Sequence, residues 1–218
     1  MKKEIILVGG GGHCRACIDV IEAGEEFVVA GIVDLKGKLG SEVSGYRIIA
    51  TDSELERLAI KFKYFLVTVG YIKDMSKRIQ IIKHLKRLNV NLPVIVSPFS
   101  YVSRNTLIGE GSIIMHKAVI NTNVKVGENS IINTSALLEH DVSIGEHCHI
   151  STGAVINGGC QIGKRVFVGS NTVVVNNVGI GDDVIIGAGS VVLRSIIKKG
   201  VYGGNPLREL NLRCRESS

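Results

Sequence analysis

The chain has 218 residues, enough for one ordinary domain or two small ones with a buried core, which excludes a miniature disulfide scaffold. Isoleucine (28), valine (27) and glycine (26) dominate, aromatic residues are 5% and tryptophan is absent, a balance that favours β-branched strands broken by turns. The net charge of +6 divides into +4 over residues 1–99, −2 over 100–193 and +4 over 194–218; without an Arg-rich face this argues against nucleic acid and for phosphorylated small molecules.

No apolar run approaches the roughly 18 to 20 residues of a membrane helix, and Glu4 spoils a signal peptide, so a soluble cytoplasmic protein without a membrane span is expected. Its five cysteines, Cys14, Cys17, Cys148, Cys160 and Cys214, are then reduced thiols.

In chain order, residues 4–8 read as a strand, Gly9 to Gly12 as a turn and 14–23 as a helix. A strand over 27–33 ends at Asp34, a short strand covers 46–50, and a helix starts at Asp52, capped by that carboxylate. A strand over 64–69 ends at Gly70 and a helix spans about 74–89. Alternating strands and helices imply a small parallel α/β domain, whose ligands sit beyond the carboxyl ends of strands. That nominates the loop Gly9 to His13, Gly11, Gly12 and His13 included, with Asp34 and Gly70. A dinucleotide fingerprint needs glycine at position 14, where Cys14 stands, so a mononucleotide fits better than NAD. The basic residues of the last helix read mostly as a solvated face, with Lys73 or Arg78 as candidates to touch phosphate.

The second half is a repeat. Every sixth residue from Val102 to Val192 is aliphatic, through Ile108, Ile114, Ile120, Val126, Ile132, Leu138, Ile144, Ile150, Ile156, Ile162, Val168, Val174, Ile180 and Ile186. Four residues after each member stands a small or β-branched residue, from Thr106 to Ser190. Glycines at 109, 127, 145, 163 and 181 mark a period of 18, three hexapeptides to a coil. A period of six scatters residues over three faces of an α-helix, whereas stacked coils about 4.8 Å apart pair every short strand with its neighbours. A triangular parallel β-helix follows.

Leu137-Leu138-Glu139-His140-Asp141 interrupts a stretch otherwise poor in charge, and His140, two places after inward Leu138, falls outside the core. Imidazole accepts a proton near neutral pH, and a neighbouring carboxylate, Asp141 or its rival Glu139, can hold its tautomer. His116 and His147 read as surface, and Cys148 and Cys160 as core. Cys14 and Cys17 form a CxxC with no second pair at zinc spacing, so no metal is assigned.

The hexapeptide series, with the closing Gly187-Ala188-Gly189-Ser190-Val191-Val192 and Gly203-Gly204-Asn205-Pro206, resembles the hexapeptide-repeat acyltransferases over about residues 100–207. With the N-terminal Gly-Gly-Gly-Gly-His-Cys unit, nearly the whole chain resembles their sugar acetyltransferase subfamily, which includes bacillosamine N-acetyltransferases and sialic acid O-acetyltransferases. The resemblance implies left-handed coils, against the usual right-handed crossover. It implies a half-Rossmann nucleotide-sugar domain (1–98), a left-handed β-helix for acetyl-CoA and catalysis (99–193) and a C-terminal tail (194–218).

The resemblance further implies that His140 is the general base with Asp141 beside it. His149 would face the acetyl-CoA thioester, with Gly158, Ser170, Gly187 and Ala188 along the pantetheine path, and Gly11, Gly12, His13, Asp34 and Gly70 would hold the sugar nucleotide. Acetyl-CoA is the expected co-substrate, with no metal. The expected acceptor is the 4-amino group of a UDP-linked 4-amino-4,6-dideoxy-N-acetylglucosamine-type sugar of bacterial glycan biosynthesis, in a homotrimer with sites between subunits. The alternatives are sialic acid O-acetylation and a non-catalytic scaffold that binds nucleotide sugars. The chain departs from many relatives at Tyr71, where they carry a small polar residue, and Arg208, Arg213 and Arg215 could meet the CoA phosphates.

Overall fold

The computed structural model describes residues 1–71 and 74–210; Lys73, Arg213 and Arg215 lie outside the described residues. The first elements are β1 (Lys3–Val8), α1 (Gly12–Ala23), β2 (Phe27–Val33), β3 (Glu42–Val43), β4 (Tyr46–Ala50), α2 (Leu55–Lys61), β5 (Tyr64–Val67) and α3 (Ser76–Arg87). They form one sheet in the order β3-β4-β2-β1-β5, parallel except for β3. Strand order reverses between β1 and β5, so the two chain crossovers leave that edge in opposite directions and open a crevice at the carboxyl ends of these strands. The apolar runs of β1 and β5 are buried, as a strand covered on both faces requires.

Two local expectations change. Asp52 does not cap its helix: the Thr51 N–H donates to Glu54 Oε2 at 3.0 Å in a capping box, and 52–54 form a 3₁₀ turn leading into α2. β5 ends two residues early because Thr68 turns its hydroxyl to the Gly9 carbonyl at 2.6 Å.

From β6 (Ile95–Val96) the chain winds into a left-handed β-helix with three faces of mostly two-residue strands, all parallel except the last, Arg208–Glu209, which is antiparallel to Gly200–Gly203. The first face runs from Tyr101–Val102 to Val191–Val192, the second from Leu107–Ile108 to Gly179–Ile180, and the third from β6 to Arg208–Glu209. Both inward series are buried from coil to coil. Polar members of the second series up to Thr172 are satisfied by the carbonyl fifteen residues on: Ser112 Oγ donates to Gly127 O, Thr172 Oγ1 to Gly187 O, and the Cys148 and Cys160 thiols to Gly163 O and Val175 O, all at 3.0 Å. The 18-residue glycines also have a steric cause. A Cβ on Gly109 would stand 2.5 Å from Glu128 N, and one on Gly127 2.5 Å from Glu146 N.

A further series escaped the sequence reading. Every sixth residue from Gly111 to Gly189 has a left-handed backbone, filled by Gly, Asn, Asp, Ser, Lys, His or Arg. These are the corners of the triangle, and both Asp141 (φ 61°) and His147 (φ 57°) belong to them.

The α/β sheet packs on the third face of the early coils, where Ile95, Ile113, Met115 and Ile131 join the core of α1, β1 and β2. His116 is not a free surface residue. Its ring lies 2.9 Å from Asp19 Oδ2 of α1 through Nε2 and 2.6 Å from Ser97 Oγ through Nδ1, joining three segments. Among the described residues, no helix is long and apolar enough to cross a membrane.

Candidate functional site

The crevice between β1 and β5 is lined by the sequence-nominated glycines. Gly9 (φ 112°) lies so close to the segment just after β5 that a Cβ would meet Val69 N at 3.0 Å. Around Gly11 and Gly12 there is open space, and α1 begins there without a side-chain cap, so its first amides face an approach that an anion could use.

Asp34 closes the loop from below. Its carboxylate accepts from Gly10 N at 3.0 Å, Leu35 N at 2.8 Å and Lys38 Nζ at 2.9 Å. Burial works against its charge, but these hydrogen bonds prevail and hold its carboxyl below the usual range. Gly70 packs on His13, where a Cβ would stand 3.3 Å from the histidine Cβ. His13 Nε2 lies 3.4 Å from the Cys17 thiol, and burial, with the Arg78 charge and His149, pushes the His13 imidazole down to about 3.

His140 and Asp141 stand at the corner between the first and second faces, about half exposed. The histidine Nδ1–H donates to Asp141 Oδ2 at 2.8 Å, and Asn123 Nδ2 donates to Asp141 Oδ1 at 2.6 Å. Hydrogen bonds from Asn123 and His140 hold the Asp141 carboxyl below its usual range. Glu139 turns away, accepting from Asn121 Nδ2 at 3.0 Å. The His140 ring lies over Gly158, where a Cβ would stand 2.6 Å from Cε1 and 2.7 Å from Nε2. This corner therefore presents an imidazole with Nδ1 engaged and Nε2 open to act as an acceptor.

His149 occupies the third face, 8% exposed. Its Nδ1–H donates to the Tyr71 carbonyl at 3.0 Å, while Asn133 Nδ2 donates to Nε2 at 3.1 Å. The Asn133 amide is oriented because its Oδ1 accepts from Thr134 N at 2.8 Å. Desolvation pushes His149 down to about 4, so it is a neutral ring at physiological pH, packed edge-on against Tyr71 and Phe167. A cavity of about 390 Å³ opens beside it, lined by Ser170, Gly187 and Ala188 among others.

Three of the four residues nominated with His149 thus share its cavity, and Gly158 sits with His140 instead. The corner carrying His140 joins the first and second faces, so it is the vertex opposite the third face that carries His149. Within one chain the open imidazole and the cavity are on opposite sides of the prism.

Sequence reasoning missed Asn133, and noted Tyr71 only as a departure from relatives, without its contacts to His149 and His147. Asn133 had a readable signal, since it follows the strand of the third face one coil below His149 at the period of 18 that also carries Ser151, Gly169 and Gly187. Tyr71 is 6% exposed, and its hydroxyl donates to the His147 carbonyl across the seam between sheet and coil. His147 is half-buried rather than surface, with Nδ1 lacking a partner, and desolvation lowers its pKa. Cys14 and Cys17 are buried in α1, and burial pushes the Cys14 thiol up to about 11 and that of Cys17 higher still. Among the described residues no group of three or more His, Cys, Asp or Glu is placed to hold a metal.

The sequence matches the GMPPB C-terminal domain family over residues 96–205 and the PglD N-terminal domain family over residues 4–85. Among solved structures, PerB from Caulobacter crescentus in complex with CoA and GDP-perosamine is 30% identical, with 95% of this chain and 97% of that chain covered and a TM-score of 0.88. A variant of the perosamine N-acetyltransferase of the same organism, with CoA and GDP-perosamine, is 29% identical, with 95% and 96% covered and a TM-score of 0.89. The acetyltransferase domain of PglB from Neisseria gonorrhoeae in complex with acetyl coenzyme A is 28% identical, with 96% and 100% covered and a TM-score of 0.88. Comparison with curated protein sequences gave no match.

Proposed function

The chain belongs to the hexapeptide-repeat sugar N-acetyltransferases, and we propose that it transfers the acetyl group of acetyl-CoA to the amine of a nucleotide-linked amino sugar. The finer assignment is the 4-amino group of a UDP-linked 4-amino-4,6-dideoxy-N-acetylglucosamine-type sugar, made in the cytoplasm for bacterial glycan biosynthesis. The observation that carries the reading is the His140–Asp141 pair with its open Nε2.

In a ternary complex the sugar amine attacks the thioester carbonyl and His140 Nε2 takes the amine proton. The C–S bond then breaks, and the imidazolium returns the proton to the CoA thiolate. Asp141 fixes the tautomer and stabilises the imidazolium. The open amides of Gly11 and Gly12, with His13, Asp34 and Gly70, form the sugar-nucleotide site in residues 1–98. The cavity of His149, Ser170, Gly187 and Ala188 takes the pantetheine arm within 99–193. His149 serves there as a neutral wall. The second N–H of Asn133 Nδ2, beyond the one given to His149, is suited to the developing thioester oxyanion.

A homotrimer completes this site. The outward residues of the first face form an apolar stripe, exposed at Tyr101 and Val119 and partly exposed at Leu137, Val155, Val173 and Val191. A neighbour packed there can bring its own third face toward the His140 corner, which supports a base from one subunit acting in the cavity of the next.

The test is thiol release from acetyl-CoA with UDP- and GDP-linked 4-amino-4,6-dideoxy sugars and with free sialic acid, followed by mass spectrometry. One acetyl on nitrogen of a nucleotide-linked sugar is expected, the UDP sugar bearing out the finer assignment. Turnover with sialic acid alone overturns the acceptor class.

A further inference from the structure

The helix α3 is basic along most of its length, yet one of its cations is not on the solvated face. Arg78 is 1% exposed. Its guanidinium meets carbonyls only: Nη1 donates to Val67 O at 2.5 Å and Val69 O at 3.0 Å, and Nη2 to Asn129 O at 3.4 Å. Its Nε has no partner. Among the described residues no carboxylate lies within 4.0 Å of it. Guanidinium does not shed its proton in proteins, so this is a buried cation without a counter-ion, an arrangement folding alone does not favour.

The location of the charge identifies what it serves. Val67 and Val69 flank Thr68, whose hydroxyl holds the Gly9 carbonyl, and the next residue, Gly70, packs on His13. Arg78 therefore sits directly behind the carboxyl end of β5, at the reversal of strand order, beneath the crevice rimmed by Gly9 to His13 and Gly70. The uncapped start of α1 adds a second source of positive potential to that crevice. Nearby groups do not neutralise it. Lys38 at the rim is already paired with Asp34, and His13, His147, His149, Tyr71 and Cys17 around the guanidinium carry no negative charge at neutral pH. Among the described residues no anion meets this charge.

We propose that Arg78 is the buried counter-charge for the diphosphate of the sugar nucleotide, a positioning residue that strengthens acceptor binding through space, behind the glycine loop and His13. The inference rests on the nucleotide-sugar reading above. Because the charge is shielded from solvent, its effect should survive moderate salt.

Arg78→Gln keeps donors for the valine carbonyls and removes the charge, whereas Arg78→Lys keeps the charge. Calorimetric titration of each full-length variant with UDP, GDP and CoA separates the cases. The Gln variant should bind the nucleoside diphosphate about tenfold or more weaker, at both 50 mM and 200 mM salt, with CoA affinity within about twofold. The Lys variant should recover most of the loss. In turnover the Gln variant should raise KM for the sugar nucleotide with kcat nearly unchanged. Unaltered diphosphate affinity in Arg78→Gln overturns the inference while leaving the nucleotide-sugar reading intact. Equal losses in both variants, parallel loss of CoA affinity, or failure of Arg78→Gln to fold would assign Arg78 to the framework and overturn it too. Absence of any diphosphate binding by the unmodified protein overturns the reading on which it rests.

Discussion

His140 Nδ1 and Asp141 Oδ2 are 2.8 Å apart although the two residues are consecutive, and the left-handed backbone of Asp141 (φ 61°) is what turns its carboxylate back to the preceding ring. The β-helix corner thus builds the hydrogen-bonded His140–Asp141 pair. Aspartate and asparagine tolerate this conformation better than most residues, so the fold's own requirement and the site's coincide at position 141.

That coincidence makes Asp141→Asn an informative variant. It should keep the corner and the melting temperature, but its amide presents a donor to Nδ1 and favours the wrong tautomer. We expect kcat to fall roughly 10²-fold with KM for both substrates within about threefold. An equal kcat would remove Asp141 from the mechanism.

Gly158→Ala tests the floor under His140. Its new Cβ would stand 2.6 Å from His140 Cε1, and since that side chain is about half exposed it can swing outward without unfolding the coil. Turnover should drop at least about tenfold with unchanged thermal stability. Wild-type kcat would show that the ring needs no fixed seat.

Asn133→Ala should leave the acyl cavity in place and remove both the donor to His149 and the free N–H. Loss of a single oxyanion donor typically costs about 10²-fold in kcat. CoA affinity, measured by titration, should change by less than about threefold. A loss confined to CoA affinity would instead make Asn133 a binding residue.

How far the sequence reached depends on which constraint was periodic. Inward aliphatics recur every sixth residue and the close-stacked glycines every eighteenth, because coils repeat and cores admit little variety. The left-handed corners repeat as strictly but accept Lys117, Ser135 and Arg165 beside Gly and Asn, so composition hides them. His140 stood out as charge in an apolar repeat. Arg78 was legible only as a basic residue that could touch phosphate, Tyr71 only as a departure from relatives and His116 only as surface, because their contacts lie between sheet and coil, to Asn129, His147 and Asp19, across 51 to 97 positions of chain. Hydrophobic patterning reports the face of an element and carries nothing about such seams.

The buried histidines set the acid limit of stability. His149 is neutral in the fold with its pKa at about 4, and an unfolded histidine takes up its proton near 6.5. Between these values the unfolded chain binds more protons, so stability is full above about pH 6.5 and falls as pH drops toward 4, by about 3 kcal/mol for this one group. His13, at about 3, adds loss of the same sign over the same range and lower. Urea unfolding at pH 7.5, 6 and 5 should show the decline, and His149→Gln should flatten it. Parallel curves for both proteins would refute the assignment.

Complementation decides whether the site is shared. His140 lies at the vertex opposite the face of His149, so a base acting in that cavity has to come from a neighbour. His140→Ala and His149→Ala proteins, each with little activity, should regain it when subunits are exchanged. In a closed ring each site draws its base from one subunit and its cavity from the next. Random mixing in equal amounts therefore gives about one intact pair in four, and about a quarter of wild-type turnover. A charge in the apolar stripe, Val155→Glu, should both dissociate the assembly in sedimentation and abolish turnover, because His140 then has no partner's cavity to serve. Mixed subunits no more active than the sum of the parents, or an active Val155→Glu monomer, would place the whole reaction within one chain and demand a bound acyl group that reaches around the prism.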